Sequence, residues 1–395
     1  MVAMSEQTRD QALSVEAASA HPPTGATRGP EGGPEPGGAP MDAYEYGLPD
    51  AAIAQYPVEP RSAARLLVGP GLRDNGSPEH ATMADLPTIL RPGDALVVND
   101  TRVLAARLHL VKATGGGAEV LLLEPGEVGT DEWEALVRPG RRLPASTLLY
   151  ETVDRSPVVE VGEALGGWED GRRRVRLLDP SVVERAGTMP LPPYIHGALS
   201  DPERYQTVYS GVRDPGDRSA AAPTAGLHFT PELVEACVAA GARVARVDLA
   251  IGLDTFRPIT APTAKEHVIH SERYSVPSET MAVCREAERV VAVGTTAVRA
   301  LESAAASGQL SGRTDLYIHG DFPFRTVDVL VTNFHLPRSS LLLLVESFCG
   351  PVWRDLYASA LADGYRFLSF GDAMVVERRG EKTGPRPPGT RGGAR

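Results

Sequence analysis

The chain has 395 residues, 42% hydrophobic and 23% charged, the proportions of a globular protein with a sizeable core. Forty Lys and Arg against 51 Asp and Glu give a net charge of −11, which excludes nucleic-acid binding by bulk electrostatics and leaves that role to a local basic patch. Three scattered cysteines, Cys237, Cys284 and Cys349, exclude a Cys-x-x-Cys zinc site or redox dithiol and suit a reducing, cytoplasmic setting.

Residues 21–40 carry six Pro and six Gly, too few apolar groups to pack, so residues 1–41 are expected to be a disordered tail. Patterned sequence follows. From about Ala95 to Leu178 short β-rich runs (ALVVND, EVLLLE, EALVRPG, TLLYETV, PVVEVGE, RRVRLL) are separated by Gly, Pro and Asp turns, the pattern of a small antiparallel barrel or sandwich. Pro190 to Ile195 reads as a rigid linker. From Thr230, a capping hydroxyl followed by Pro231, helices and strands alternate. The helices are ELVEACVAA, SETMAVCREAE, TTAVRALESAAAS, SLLLLVESF and VWRDLYASALADG. The strands are VARVDLAIG, RVVAVG, TDLYIH, VDVLVTNF and YRFLSFG. That alternation predicts an α/β fold with a mostly parallel sheet. Two domains are expected: an α/β catalytic domain over 42–66 and 190–377, and an inserted all-β barrel domain over 67–189. A basic tail, 378–395, is also expected to be disordered. No apolar run approaches the roughly 18 residues of a membrane helix, so no membrane partner is expected.

Several polar clusters sit where strands or loops meet helix starts. Pro223, Thr224, Gly226 and His228 lie in a loop before a capped helix, where small residues admit a ligand and His228 is either an acid–base group or a hydrogen-bonded structural histidine. Glu266, His267, His270 and Glu272 fall within seven residues. The spacing is not that of a zinc motif, and polar contacts to a ribose or amine fit better than a metal. Gly294, Thr295 and Thr296 form a small hydroxyl-rich turn at a strand end, with Arg299 one turn into the helix, either ligand contacts or a cap and an Arg–Glu pair. Asn333 and His335 follow another strand, and Asn99, Thr101 and Arg102 edge the β-rich region.

Taken together and in order, these blocks resemble the S-adenosylmethionine:tRNA ribosyltransferase-isomerase family. The resemblance runs from Ile53 through Tyr56, Arg61 and Arg65, Asn99 to Arg102, Pro190 to Ile195, Ala222 to Thr230, Glu266 to Glu272, Ala292 to Arg299 and Thr332 to Pro337, ending at Gly371 to Met374, and covers roughly residues 42–376. It implies transfer and isomerisation of the ribosyl part of S-adenosylmethionine onto the aminomethyl group of a deazaguanine at the tRNA wobble position, giving epoxyqueuosine tRNA, adenine and methionine. S-adenosylmethionine is then a consumed substrate, with no metal and no further cofactor. The tRNA anticodon loop is the partner, and the chain is expected to be a cytoplasmic monomer. His228, His270 and His335 are the candidate bases. Tyr56, Arg61, Asn99, Thr101, Arg102, Pro223, Thr224, Gly226, Glu266, Glu272, Gly294, Thr295, Thr296, Arg299 and Asn333 are the candidate substrate contacts. Arg138, Arg141, Arg142 and Arg172 to Arg174 are candidates for RNA phosphate. The chain departs from the family at Ala250 and Asp254, where the family has His and Gly, at Gly197, where it has Arg, and at His319 to Asp321, where it has Pro-Gly. A relative acting on another amine or nucleoside is the alternative.

Overall fold

The computed structural model describes residues 40–73, 76–127, 129–140, 143–165, 171–197, 199–211, 218–252 and 258–380. Three strands come first: β1 (Arg65–Val68), β2 (Glu79–Thr82) and β3 (Ala95–Asn99). Then follow β4 (Arg102–Val103), β5 (Arg107–Lys112), β6 (Gly117–Pro125), β7 (Glu132–Arg138), β8 (Thr147–Tyr150), β9 (Pro157–Ala164), β10 (Arg172–Leu177), α1 (Val182–Ala186), β11 (Gly187–Thr188) and β12 (Arg218–Ser219). The C-terminal half holds α2 (Pro231–Ala239), β13 (Arg243–Leu249), β14 (Glu272–Ser275), α3 (Ser278–Glu286), β15 (Val290–Val293), α4 (Thr295–Ser307), β16 (Ser311–Thr314), β17 (Val329–Asn333), α5 (Ser340–Cys349), α6 (Trp353–Ala362) and β18 (Ala373–Glu377).

Nine strands form one mixed sheet in the order β16-β14-β13-β3-β15-β17-β18-β1-β2. β13, β3, β15 and β17 run parallel side by side, as do β18 and β1, while the other junctions are antiparallel. The sheet is therefore mixed, not mostly parallel. Both faces are buried. Ala95 and Val97 of β3 pack with α4, α5 and α6, whereas Leu96 and Val98 face Leu233 and Cys237 of α2. Each fully buried aliphatic side chain contributes about 1.5–3 kcal/mol, so the two-sided core dominates stability. The buried Asp94–Arg289 pair (2.6 and 3.0 Å) joins the entries of β3 and β15, fixing their alignment. α4 is buried all round from Thr295 to Ala304. Within it Glu302, fully buried, accepts the backbone N–H groups of Arg325, Thr326 and Val327 at 2.8, 2.9 and 3.0 Å, anchoring the chain that leads into β17.

The second sheet runs β5-β6-β7-β10-β9-β8 and returns to β5, a closed six-stranded antiparallel barrel with β11 added beside β5. Its interior is an aliphatic cluster that includes Leu108, Val120, Val137, Val159 and Val175. Sheet and barrel belong to one compact unit.

Several sequence expectations need correction. ALVVND is not a barrel strand. It is β3, in the middle of the nine-stranded sheet, and its five consecutive buried residues carry the unbroken apolar pattern of a two-face-buried strand. β1 and β2 also belong to that sheet, so the chain enters the barrel after residue 99, not at 67. YRFLSFG is a turn, with Leu368 at φ 68°, where Asp372 accepts the Arg366 N–H (2.8 Å). The last strand is AMVVE, β18. Edge strand β16 is SGRT, not TDLYIH. Met41, assigned to the tail, is fully buried, its N–H donating to the Pro262 carbonyl at 2.9 Å. At the other end Arg378 and Arg379 are bonded into the fold through the Phe324 and Phe348 carbonyls, both at 2.8 Å. Residues 1–39 and 381–395 lie outside the described residues.

Candidate active site

The parallel strands β13, β3, β15 and β17 end on the same edge of the sheet, the position where open α/β sheets receive ligands. Three chain segments meet beyond those ends. The first is a short 3₁₀ turn, Thr224–His228, held tight by Gly226. A Cβ there would stand 2.3 Å from the Tyr209 hydroxyl and 2.9 Å from Thr207 Cγ2. The second is the β15–α4 turn, where Gly294 adopts φ 86°. The third is the chain after β17.

Thr224 Oγ1 donates to Asn333 Oδ1 at 2.9 Å, and Asn333 Nδ2 donates to His228 Nε2 at 3.1 Å. This relay leaves the His228 proton on Nδ1, since Nε2 is the acceptor. Burial pulls the His228 imidazole down to about 4, against the opposing pull of the Asp372 carboxylate. His335 lies two residues beyond Asn333. Its Nε2 meets Thr332 Oγ1 at 2.9 Å, its N–H donates to the Tyr357 hydroxyl at 2.9 Å, and its carbonyl accepts from Tyr46. Burial pushes its imidazole to about 3. Thr224, Asn333, His335 and Leu341 line two hollows of about 30 Å³ each, one of which also reaches Gly294, Thr295, Thr296 and Pro223. The Thr296 hydroxyl is buried without a partner among the described residues.

Through the shared walls Ile251 and Leu341 these hollows adjoin a cavity of about 160 Å³ between the strand ends and the barrel. Ala250, Glu272, Arg299 and the exposed His270 border it from the sheet side. Glu124 of β6, Glu134 of β7 and Arg172 of β10 border it from the barrel. Arg299 and Glu272 form a buried ion pair, with the second Glu272 oxygen accepting the Gly252 N–H at 3.0 Å.

Other candidates lie away from these hollows or bond within the fold. Asn99 exchanges two hydrogen bonds with the Leu249 backbone (3.1 and 3.2 Å), tying β3 to β13. Arg61 donates to the Gln206, Leu227 and Glu203 carbonyls at 2.7, 3.2 and 2.9 Å, locking the loops around His228. Arg102 reaches Glu203 at 2.7 Å and Ser210 at 3.3 Å. Thr101 is buried, its hydroxyl without a partner among the described residues. Glu266 is exposed and stands off the cavity wall. Tyr56 is 62% exposed, and its ring lies over Gly197, where a Cβ would meet the hydroxyl at 2.9 Å. Of the RNA candidates, Arg173 is buried against backbone carbonyls, Arg172 pairs with Glu134 at 3.2 Å and Arg174 with Glu132 at 3.1 Å. Arg141, Arg142 and Asp254 lie outside the described residues.

Of the barrel residues on the cavity the sequence singled out only Arg172, as an RNA candidate; Glu124 and Glu134 went unread, as did Ser369, whose hydroxyl bonds that of Tyr194 at 2.8 Å in the wall of one small hollow. No group of three or more His, Cys, Asp or Glu side chains with metal-site geometry occurs among the described residues. No helix among them is long and apolar enough to cross a membrane.

A family model described as "Queuosine biosynthesis protein" matches residues 41–376. An S-adenosylmethionine:tRNA ribosyltransferase-isomerase of Rubrobacter xylanophilus is 49% identical over 338 residues, spanning 85% of this chain and 97% of that protein. One from Synechococcus elongatus is 46% identical over 361 residues, spanning 87% and 97%. The crystal structure of an S-adenosylmethionine tRNA ribosyltransferase from Thermotoga maritima is 36% identical, covers 84% of this chain and 99% of its own, and superposes with a TM-score of 0.47.

Proposed function

The chain belongs to the queuosine biosynthesis protein family, and from that premise we propose that it is a transferase that moves and isomerises the ribosyl part of S-adenosylmethionine onto the aminomethyl-deazaguanine of the tRNA wobble nucleotide, releasing adenine and methionine. The observation that carries this reading is identity of 46–49% with enzymes of that name along almost their whole length. The different-acceptor reading gains no support from those relatives. The reading includes a cytoplasmic, monomeric enzyme with S-adenosylmethionine and the tRNA anticodon loop as partners and no metal or further cofactor. It treats the barrel as an inserted domain that closes over the strand ends.

The reaction needs a base for a proton beside the sulfonium. The three candidate histidines differ in their surroundings: His270 borders the large cavity, His335 the adjoining hollows, and His228 lies behind them, bonded to Asn333. His228 and His335 are buried, with proton affinity lowered well under neutral pH, so each is a reluctant proton acceptor there. His270 borders the cavity itself and is exposed at its margin, within reach of a bound substrate. We assign the proton to His270. His228 is a positioning residue held by Asn333 and Thr224, and the neutral His335 shapes the floor. Thr295, Thr296 and the N–H groups that open α4 supply donors to developing negative charge. The test is mass spectrometry of deazaguanine-containing tRNA after incubation with the protein and S-adenosylmethionine. A ribosyl-derived mass gain with release of adenine and methionine supports the reading, and unchanged tRNA overturns it.

A further inference from the structure

Arg299 is 7% exposed, and its guanidinium is only partly used. Nη1 pairs with Glu272 and Nε donates to the Leu316 carbonyl at 3.2 Å, but Nη2 is buried with no hydrogen-bond partner among the described residues. An unmet donor on a buried cation is costly, so this position asks for an acceptor from outside the chain. Arg299 borders the cavity of about 160 Å³, where that acceptor has room.

The charges around the cavity say what kind of ligand fits. Besides Arg299–Glu272, two further guanidinium–carboxylate pairs border it: Arg313–Glu124 at 2.7 Å and Arg172–Glu134 at 3.2 Å. Three cations and three anions sum to zero. A phosphate, with one to two negative charges and no positive one, would face three carboxylates. A zwitterion, with one carboxylate and one ammonium, is matched at both ends. Glu124 and Glu134 stand opposite each other on neighbouring barrel strands and so offer carboxylates to an ammonium from the far wall.

We infer that this cavity is the subsite for the α-amino-carboxylate end of S-adenosylmethionine, with Arg299 Nη2 donating to the carboxylate and the barrel carboxylates facing the ammonium. The inference rests on the proposed reaction and adds a consequence to it. Methionine released by the reaction keeps the same zwitterionic group, so it occupies the subsite and competes with incoming S-adenosylmethionine.

The test is calorimetric titration of the full chain with S-adenosylmethionine, with L-methionine as competitor and, separately, with L-methionine methyl ester, which keeps the ammonium and lacks the carboxylate charge. L-methionine should compete, and the ester should be about ten- to a hundredfold weaker, as expected for losing a hydrogen bond between charged groups. Arg299→Met should weaken S-adenosylmethionine by a similar factor without changing adenine binding. Because that change strands Glu272, the paired variant Arg299→Met with Glu272→Gln repeats the measurement without a buried lone charge. An ester that competes as well as methionine, or a paired variant with wild-type affinity, overturns the subsite while leaving the reaction intact. Wild-type protein that fails to bind S-adenosylmethionine at all overturns both.

Discussion

The two buried histidines make stability depend on pH in a way that can be calculated and tested. In the unfolded chain each imidazole has a pKa near 6.5, whereas in the folded protein burial lowers His335 to about 3 and His228 to about 4. Between those values the unfolded chain binds more protons than the folded one, so stability is fully present above about pH 6.5 and is lost as pH falls toward the folded values. Integrating from pH 7.5 to pH 4.5 gives a loss of about 2.5 kcal/mol for each histidine, about 5 kcal/mol together. That is a large share of the roughly 5–15 kcal/mol typical of a folded domain. His335→Gln removes one titrating group and keeps a polar side chain near Thr332. Urea unfolding of both proteins across this pH range should show the variant losing about 2.5 kcal/mol less than the wild type, whatever its stability at pH 7.5. Parallel curves would refute the reasoning, because other groups would then carry the whole pH dependence.

Five other outcomes are expected. Gly226→Ala drives a Cβ against the Tyr209 hydroxyl and should cost about 1–3 kcal/mol in chemical denaturation, with loss of turnover from displacement of His228. Thr224→Val removes the hydroxyl that orients Asn333, so single-turnover rates should fall at least tenfold while unfolding free energy changes by about 1 kcal/mol. A chain starting at Met41 should melt like the full-length protein, whereas Met41→Ala should cost about 2–5 kcal/mol by thermal or urea unfolding. Turnover should persist in EDTA, and a loss restored by added Zn²⁺ would contradict the metal-free reading.

Much of the α/β half was legible, because caps and breaks mark its helices: Thr230 before α2, Gly294 and Gly308 at the ends of α4, and Ser339 before α5. β3 was misplaced because a short apolar run reads alike in a barrel and in a buried sheet. Only its lack of alternation distinguished it. Thr224, His228 and Asn333 stand out singly as candidates in the sequence, yet their relay joins positions over a hundred residues apart and follows from the strand order. The carbonyl bonds of Asn99 and Arg61 were not legible, because a polar residue at a strand or loop end has the same sequence signature whether it meets a ligand or a neighbouring carbonyl. The carboxylates of the barrel wall were invisible, since Glu124 and Glu134 reach the cavity only through barrel closure.

The placing of the barrel between β3 and β13 has a consequence for assembly. These strands lie side by side in the sheet, with Ala95 opposite Arg243, although the entire barrel separates them in the chain. Pairing them from an extended chain means closing a very long loop before any contact repays the lost entropy. The barrel's own contacts are mostly between hairpin neighbours, such as β5 with β6 and β6 with β7, and these form cheaply. Once they form, Arg107 and Thr188 are paired at the barrel's edge, and the loop still to be closed between β3 and β13 is shorter by the length of the barrel. A lesion inside the barrel, far from any sheet residue, should therefore slow the docking of β13 onto β3 and extend the time during which both bare strand edges are open to other chains.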